Sequence, residues 1–210
     1  MSTLFILIKS WIIGIAIAAP VGPIGILCIR KTLEVGIIGA LAVGVGAALA
    51  DSIYAFIAGA SFSSISVFLL SKTQHIKFFG GMFLLYLSYK EIKNNSDDSS
   101  KTSIKIANRF WKIVTTVFIL TLANPMTILS FIGIFAGISN DTASLSESLA
   151  FVVGVFLGSM TWWMVLGFII VRVKHKISVK LKNSIRYTSA SILFCFGMYV
   201  LLTMHWDTFS

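Results

Sequence analysis

The feature that most constrains this chain is a series of apolar runs separated by charged or polar clusters. A helix that crosses a membrane needs about 20 mostly apolar residues, because each residue adds about 1.5 Å along the helix axis. The runs that approach or exceed this length are residues 4–29, 35–59, 76–92, 113–138, 149–171 and 187–204. The sequence therefore predicts an all-α integral membrane protein with six transmembrane helices.

The composition excludes a water-soluble domain. Of the 210 residues, 57% are hydrophobic and 12% are charged, and the mean hydropathy is +0.92. Soluble domains normally carry about 25% charged residues. The net charge of +9 would suggest nucleic acid as a partner of a soluble protein, but here the basic residues lie mostly in the breaks between apolar runs. We therefore predict that the chain has the lipid bilayer as a partner, and no nucleic acid.

The basic residues cluster in three of the breaks, and this predicts the orientation of the chain. Cytoplasmic loops of membrane proteins carry an excess of Lys and Arg. The clusters are Arg30 and Lys31 after span one; Lys90, Lys93, Lys101, Lys105, Arg109 and Lys112 between spans three and four; and Arg172, Lys174, Lys176, Lys180, Lys182 and Arg186 after span five. We therefore expect a multi-pass protein of the plasma membrane with its N-terminus and C-terminus outside. Lys72 and Lys77 would then lie outside, against this rule, but they are outnumbered.

The polar stretch 94–101 divides the chain into two parts with three spans each. We predict a first three-helix half at 1–93, a cytoplasmic linker at 94–109 and a second half at 110–210. Because three is odd, the halves would enter the membrane from opposite sides, as inverted three-helix repeats do. Matching irregularities support the repeat: Pro20 and Pro125 lie 105 residues apart, and Gly44 and Gly154 lie 110 residues apart.

The prolines predict breaks in spans one and four. Proline has no backbone N–H and clashes with the carbonyl group four residues earlier. The backbone groups released in this way cannot face lipid, so they must face protein or a polar cavity near the middle of the membrane. The predicted binding residues are Pro20, Gly22 and Pro23 in span one, and Asn124, Pro125 and Thr127 in span four. The alternative is that these prolines form structural kinks packed against neighbouring helices.

Asp51 is the one acidic residue deep within a predicted span. A central Asp costs about 2.5–3.5 kcal/mol even on the lenient insertion scale, so it is rare without a role. Burial favours the neutral carboxyl group, and we interpret Asp51 as a carrier of protons or cations. The offset of 110 residues places Thr161 opposite it. The alternative is a structural Asp that is hydrogen-bonded to groups of a broken helix.

Four ordered motifs carry a family resemblance. They are Ala19-Pro20-Val21-Gly22-Pro23 followed by Arg30, the spaced glycines of 36–46 with Ala50-Asp51, the segment 80–87 that begins Gly80-Gly81, and Asn124-Pro125-Met126-Thr127. Together they resemble the lysine exporter (LysE/RhtB) family over nearly the whole chain. The resemblance implies a six-helix exporter of amino acids or related small solutes, built from inverted halves and driven by the proton gradient.

Two departures from the family pattern bear on the substrate. Many members have Asn-Pro-Lys where this chain has Asn124-Pro125-Met126, and many have Pro-Gly-Pro where it has Pro20-Val21-Gly22-Pro23. The missing lysine removes a possible charge partner. The identity of the solute therefore does not carry over from the resemblance.

The expected function is secondary transport, with a small solute and protons as partners and with room for a homodimer. No metal-ligand cluster, phosphate-binding loop or nucleophile–base pair is visible, so we expect no cofactor, no metal and no enzymatic activity. Two other functions stay open. One is a membrane conduit for thiol electrons, although Cys28 is matched by Gly133 in the second half and Cys195 lies in span six. The other is a scaffold that transports nothing.

Overall fold

The structure, a computed structural model, describes residues 3–20, 22–59, 73–93, 103–124, 127, 130–131, 144–174 and 179–203. Seven helices and no strand are found among these residues, which confirms the all-α prediction. The helices are α1 (Thr3–Ala18), α2 (Pro23–Val35), α3 (Ile37–Gly59), α4 (Thr73–Lys93), α5 (Ser103–Leu122), α6 (Leu145–Val173) and α7 (Val179–Leu202). Of the predicted linker 94–109, residues 103–109 belong to α5, and residues 94–102 lie outside the described ranges.

Two of the described helices are by themselves long and apolar enough to cross a membrane. They are α6 and the 21 residues Ile37–Ile57 of α3. A third span results if α1 and α2 are counted together as one bent span. Exposed side chains on these helices are largely apolar, among them Ile12, Phe56 and Phe168. An exposed apolar surface of this kind is suited to lipid, so the chain is a helical membrane protein, and six spans stay a prediction.

The break that the prolines predict in span one is present. Helix α1 ends at Ala18, α2 begins at Pro23, and the two helix axes differ by 86°. Pro23 fits the first position of α2, because the N–H that proline lacks has no partner there in any helix. Gly22 is the N-cap residue, and no side chain caps the helix at this end. The first amide groups of α2 therefore have no partner within the helix.

A tight turn at Gly36 joins α2 to α3. Gly36 has a φ of +76°, a region that glycine adopts without the steric cost of a side chain, and its N–H donates to the carbonyl of Thr32 at 2.8 Å. Residues close to this turn form an ion cluster. Glu34 accepts from Arg30 at 2.7 Å, from Lys31 at 2.8 Å and from Arg109 of α5 at 3.3 Å. The end of α2 therefore lies beside the start of α5.

Small residues allow the central helices to pack closely. Helix α1 packs on α6, α3 packs on both α5 and α6, and α4 packs on α7. A Cβ atom at Gly158 would overlap the carbonyl oxygen of Trp11, and one at Gly14 would overlap that of Val155. Close backbone approach of this kind is the main source of helix association in lipid, where burial of apolar surface between helices adds little.

We predict that Gly158→Ala destabilises the protein by about 1–3 kcal/mol, because the added methyl group forces α1 away from α6. Thermal unfolding in detergent micelles measures this change. Val165→Ala is the control, since it shortens a side chain of α6 that is 47% exposed. If both variants unfold at the wild-type temperature, the close contact between α1 and α6 is wrong.

Candidate functional site

Asp51 lies in the middle of α3, where small residues bring neighbouring helices close. Ala47, Ala48 and Ala50 are all fully or almost fully buried. Asp51 itself is 3% exposed, and its Oδ2 accepts a hydrogen bond of 2.8 Å from the hydroxyl of Ser159 on α6. A buried carboxyl group with a single short hydroxyl contact can exist in its neutral form without breaking an ion pair. This environment suits a group that gains and loses a proton.

A small cavity of about 40 Å³ lies beside Asp51. It is bounded by the end of α1, the start of α2, the middle of α3, the end of α5 and the middle of α6. The lining residues are Ile17, Ala18, Pro20, Gly22, Ile24, Ala47, Asp51, Thr121, Asn124, Thr127 and Trp163. A water molecule needs roughly 10–15 Å³ of such space, so this cavity holds a few water molecules and is too small for an amino acid.

The structure brings five of the eight predicted site residues to this one cavity: Pro20, Gly22, Asp51, Asn124 and Thr127. They come from both broken regions and from α3. Of the other three, Pro23 is buried directly after Gly22 at the start of α2, and Pro125 lies outside the described residues.

Thr161 does not contact the carboxyl group that the repeat offset places opposite it. Its hydroxyl donates to the carbonyl of Leu157 at 2.7 Å and accepts from the indole N–H of Trp11 at 3.2 Å. The residue of α6 that contacts Asp51 is Ser159, two positions earlier. A ligand-binding role for Thr161 therefore stays a prediction.

Helix ends of opposite polarity meet at the cavity. Ala18 and Thr121 lie at or next to the last residues of α1 and α5, whose carbonyl groups carry partial negative charge. Gly22 and Ile24 lie at the start of α2, whose free amide groups carry partial positive charge. The arrangement offers separate places for a cation and an anion within one small volume. Broken helices of transporters bind solutes and ions with groups of this kind.

A hydrogen bond holds the end of α5 against α3. The hydroxyl of Tyr54, one turn after Asp51, donates to the carbonyl of Leu122 at 2.6 Å. Leu122 is the last residue of α5, so its carbonyl has no acceptor role within the helix. Tyr54 satisfies this carbonyl and fixes the distance between the second broken region and Asp51.

Two residues of α6 at the site, Ser159 and Trp163, were not among the predicted site residues, because the sequence favours aromatic packing for Trp163. Ser159 and Trp163 are one helical turn apart and therefore share a face. Trp163 is 3% exposed, and its indole N–H has no hydrogen-bond partner among the residues that the structure describes. A buried donor without an acceptor costs about 1–3 kcal/mol. The signal in the sequence was weak, because Ser in membrane helices commonly bonds its own backbone and Trp commonly packs.

The described residues contain no group of three or more His, Cys, Asp or Glu side chains that could hold a metal ion. Cys28 and Cys195 are both free. Cys28 is fully buried in α2, with its Sγ 4.0 Å from the hydroxyl of Thr32, whereas Cys195 is exposed on α7. Among the described lining residues, the polar groups that the cavity offers are the carboxyl group of Asp51, the hydroxyl groups of Thr121 and Thr127, the side-chain amide of Asn124 and backbone groups at helix ends.

Comparison with known proteins identifies similar chains. The family described as "LysE type translocator" matches residues 15–204. A protein of Bacillus subtilis (strain 168) named "Putative amino acid efflux protein YcgF" is 25% identical over 191 residues, which cover 90% of this chain and 91% of that protein. No solved structure matches.

We predict that dicyclohexylcarbodiimide modifies Asp51 in membranes, because a neutral carboxyl group in apolar surroundings transfers its proton to a nitrogen of this apolar reagent and adds through its oxygen to the central carbon. The fraction of modified Asp51 should rise as the pH falls, since only the protonated carboxyl group reacts. Mass spectrometry of the peptide that contains Asp51 measures it. Glu147, which lies at the exposed start of α6, is the internal control and should stay unmodified at neutral pH. Equal modification of both residues would contradict a buried, protonatable Asp51.

Proposed function

Because the chain belongs to the LysE type translocator family, we propose that it is a secondary exporter of amino acids or related small solutes that exchanges them for protons across the plasma membrane. The family consists of transporters and not of enzymes. The name of the Bacillus subtilis relative refers to amino acid efflux, and this supports the choice of solute.

One observation carries the proposal: Asp51 shares a single cavity with both broken helical regions. The broken regions supply backbone groups that can replace the hydration of a polar solute, and Asp51 supplies a carboxyl group. In the proposed cycle, the solute with its ammonium group leaves the ionised Asp51 on the outer side, and a proton takes its place. Release of that proton into the cytoplasm makes Asp51 ready for the next solute.

The size of the cavity implies a cycle with more than one conformation. At about 40 Å³ the cavity is too small for an amino acid, so transport of an amino acid requires a second conformation in which the cavity is wider. Solute binding requires the helices around the cavity to separate on one side of the membrane at a time. At Gly14 and Gly158, α1 and α6 are in close contact without a side chain between them. The two helices could therefore slide along each other there with little change in side-chain packing.

Reciprocal packing supports two inverted halves in six spans. If α1 corresponds to α5 and α3 corresponds to α6, the contact of α1 with α6 has its counterpart in the contact of α5 with α3, and both contacts are present. The ion cluster of Glu34 brings two of the basic clusters, represented by Arg30 and Arg109, to one place. This supports a cytoplasmic location for both and therefore termini outside. A homodimer stays a prediction from the sequence.

Efflux from proteoliposomes tests the proposed function. Vesicles that contain the purified protein are loaded with the twenty L-amino acids, a pH gradient is imposed, and release is followed by mass spectrometry. We expect the wild type to release one or more of the amino acids faster with the gradient than without it. Asp51→Asn should lose this acceleration, because an amide cannot take up the proton.

The matched control is Glu147→Gln, which removes a carboxyl group at the start of α6, away from the cavity lining. It should keep the wild-type response to the gradient. An Asp51→Asn protein that still responds to the gradient would remove the proton role from Asp51. A folded wild type that releases none of the solutes would favour a scaffold.

Reporter fusions test the proposed orientation. Alkaline phosphatase is active only outside the cytoplasm, and green fluorescent protein becomes fluorescent in the cytoplasm. We expect an active phosphatase when it is fused after Ser210 and fluorescence when the fluorescent protein is inserted in the segment 94–101. The reverse pattern at both positions would invert the topology, and a location of both positions on the same side of the membrane would contradict the three spans of the second half.

A further inference from the structure

Helices α2 and α5 both connect the cavity to the ion cluster around Glu34. Helix α2 starts at the cavity, which Ile24 lines, and Glu34 lies in its last turn. Helix α5 contributes Arg109 to the ion cluster and ends at the cavity, which Thr121 lines. At about 1.5 Å per residue, Ile24 to Glu34 spans about 15 Å and Arg109 to Thr121 about 18 Å. The two helices therefore run between the same two places in opposite directions.

Buried apolar side chains fill the space between the cavity and the ion cluster. Leu27 and Cys28 of α2 and Val114 and Val117 of α5 belong to one hydrophobic core cluster. Cys28 and Val117 are fully buried. We call these four residues the apolar layer. A polar solute cannot cross such a layer without losing its hydration. In the proposed orientation the ion cluster is cytoplasmic, so passage between the cavity and the cytoplasm requires α2 and α5 to separate.

The ends of α2 suit it to be the helix that moves. Gly22 precedes its first residue, and Gly36 follows its last. A Cβ atom at either glycine would meet no described atom within 4 Å beyond its chain neighbours, so the backbone has room to turn at both places. Helix α2 is also short, with 13 residues against 20 in α5. The hinges of moving elements are a few residues at the ends of those elements.

An ion pair joins the far end of α2 to α5. Oε2 of Glu34 lies 3.3 Å from Nη2 of Arg109. Arg30 and Lys31 pair with the same carboxylate, but both belong to α2 and therefore do not join the two helices. The side chain of Arg109 is 42% exposed and that of Glu34 is 21% exposed, so water reaches the pair. Ion pairs in contact with water are weak, and this one can break and form again in every transport cycle.

We propose that α2 is the cytoplasmic gate of the transport site, with hinges at Gly22 and Gly36, and that the ion pair between Glu34 and Arg109 is the latch that holds the gate closed. The proposal rests on the export function proposed above and identifies the element that moves on the cytoplasmic side. When the ion pair breaks, α2 separates from α5 and the cavity opens to the cytoplasm. When the pair forms again, the apolar layer closes.

The thiol of Cys28 reports the opening of this gate. It is fully buried in the apolar layer, so it should react slowly with N-ethylmaleimide. Cys195→Ser makes Cys28 the single thiol, because the sequence contains two cysteines. Mass spectrometry of the intact protein measures the reaction in proteoliposomes without any solute. Arg109→Gln in this Cys195→Ser parent should raise the rate about two- to fivefold, the effect of losing an exposed ion pair.

Lys31→Gln in the same parent is the matched control. It removes a pair of the same carboxylate within α2 and leaves the contact between Glu34 and Arg109 in place. The thiol should therefore react at the rate of the parent. An Arg109→Gln protein that reacts at the rate of the parent would overturn the latch. A Lys31→Gln protein that reacts as fast as Arg109→Gln would overturn it as well, because the contact between the helices would then have no special part.

A covalent link between α2 and α5 tests the gate during transport. Glu34→Cys and Arg109→Cys are combined with Cys28→Ser and Cys195→Ser, and a short bismaleimide joins the two new thiols. We expect the linked protein to export at least about tenfold more slowly than the same protein with N-ethylmaleimide on each thiol, because a linked α2 cannot leave α5.

Equal export by the linked and the unlinked protein would overturn the gate and leave the export function intact. A wild type that exports no solute would overturn the export function. The reaction of Cys28 would still decide whether the ion pair between Glu34 and Arg109 holds α2 closed, since that measurement needs no solute. The two failures are therefore distinguishable.

Discussion

The structure depends on the rule that backbone polar groups cannot be left open to lipid. Pro20 and Pro23 end one helix and start another, so carbonyl groups at the end of α1 and amide groups at the start of α2 lose their partners within the helices. The end of α5 has the same need before Pro125, and Tyr54 meets part of it through its bond to Leu122. The ends of α1 and α5 and the start of α2 all border one small polar cavity, where such groups can bind water or a solute.

Asp51 gives this cavity its chemistry. A carboxyl group in the middle of a membrane helix is tolerated when it faces the interior of the bundle, and here it does so among small residues that bring α6 within hydrogen-bond distance. Ser159 is the contact that makes burial acceptable without neutralising the acid by a cation. The ion cluster around Glu34 lies elsewhere, at the end of α2. An acid that is buried but not ion-paired remains free to exchange a proton for a cationic group.

Much of the candidate site was predictable from the sequence, because its signals are local. Proline removes a backbone hydrogen bond wherever it occurs in an apolar run, and this signal identified Pro20, Gly22, Asn124 and Thr127, which all line the cavity. Ser159 and Trp163 carry no such signal, since the same residues occur in membrane helices as ordinary packing groups. The internal offset came within two residues of Ser159 but selected Thr161, because a repeat aligns backbones and does not determine which hydroxyl group faces across the bundle.

The sequence by itself determined the solvent of this protein, the class of its fold and the places where its helices break. These follow from the length of apolar runs and from the covalent structure of proline, which act without regard to distant residues. Only the tertiary structure decided that both breaks and Asp51 share one cavity, and that Ser159 is the residue whose hydroxyl group reaches Asp51. Those relations depend on how closely α1, α3, α5 and α6 approach one another and on how each helix is rotated about its own axis. Glycine contacts between distant parts of the chain establish both.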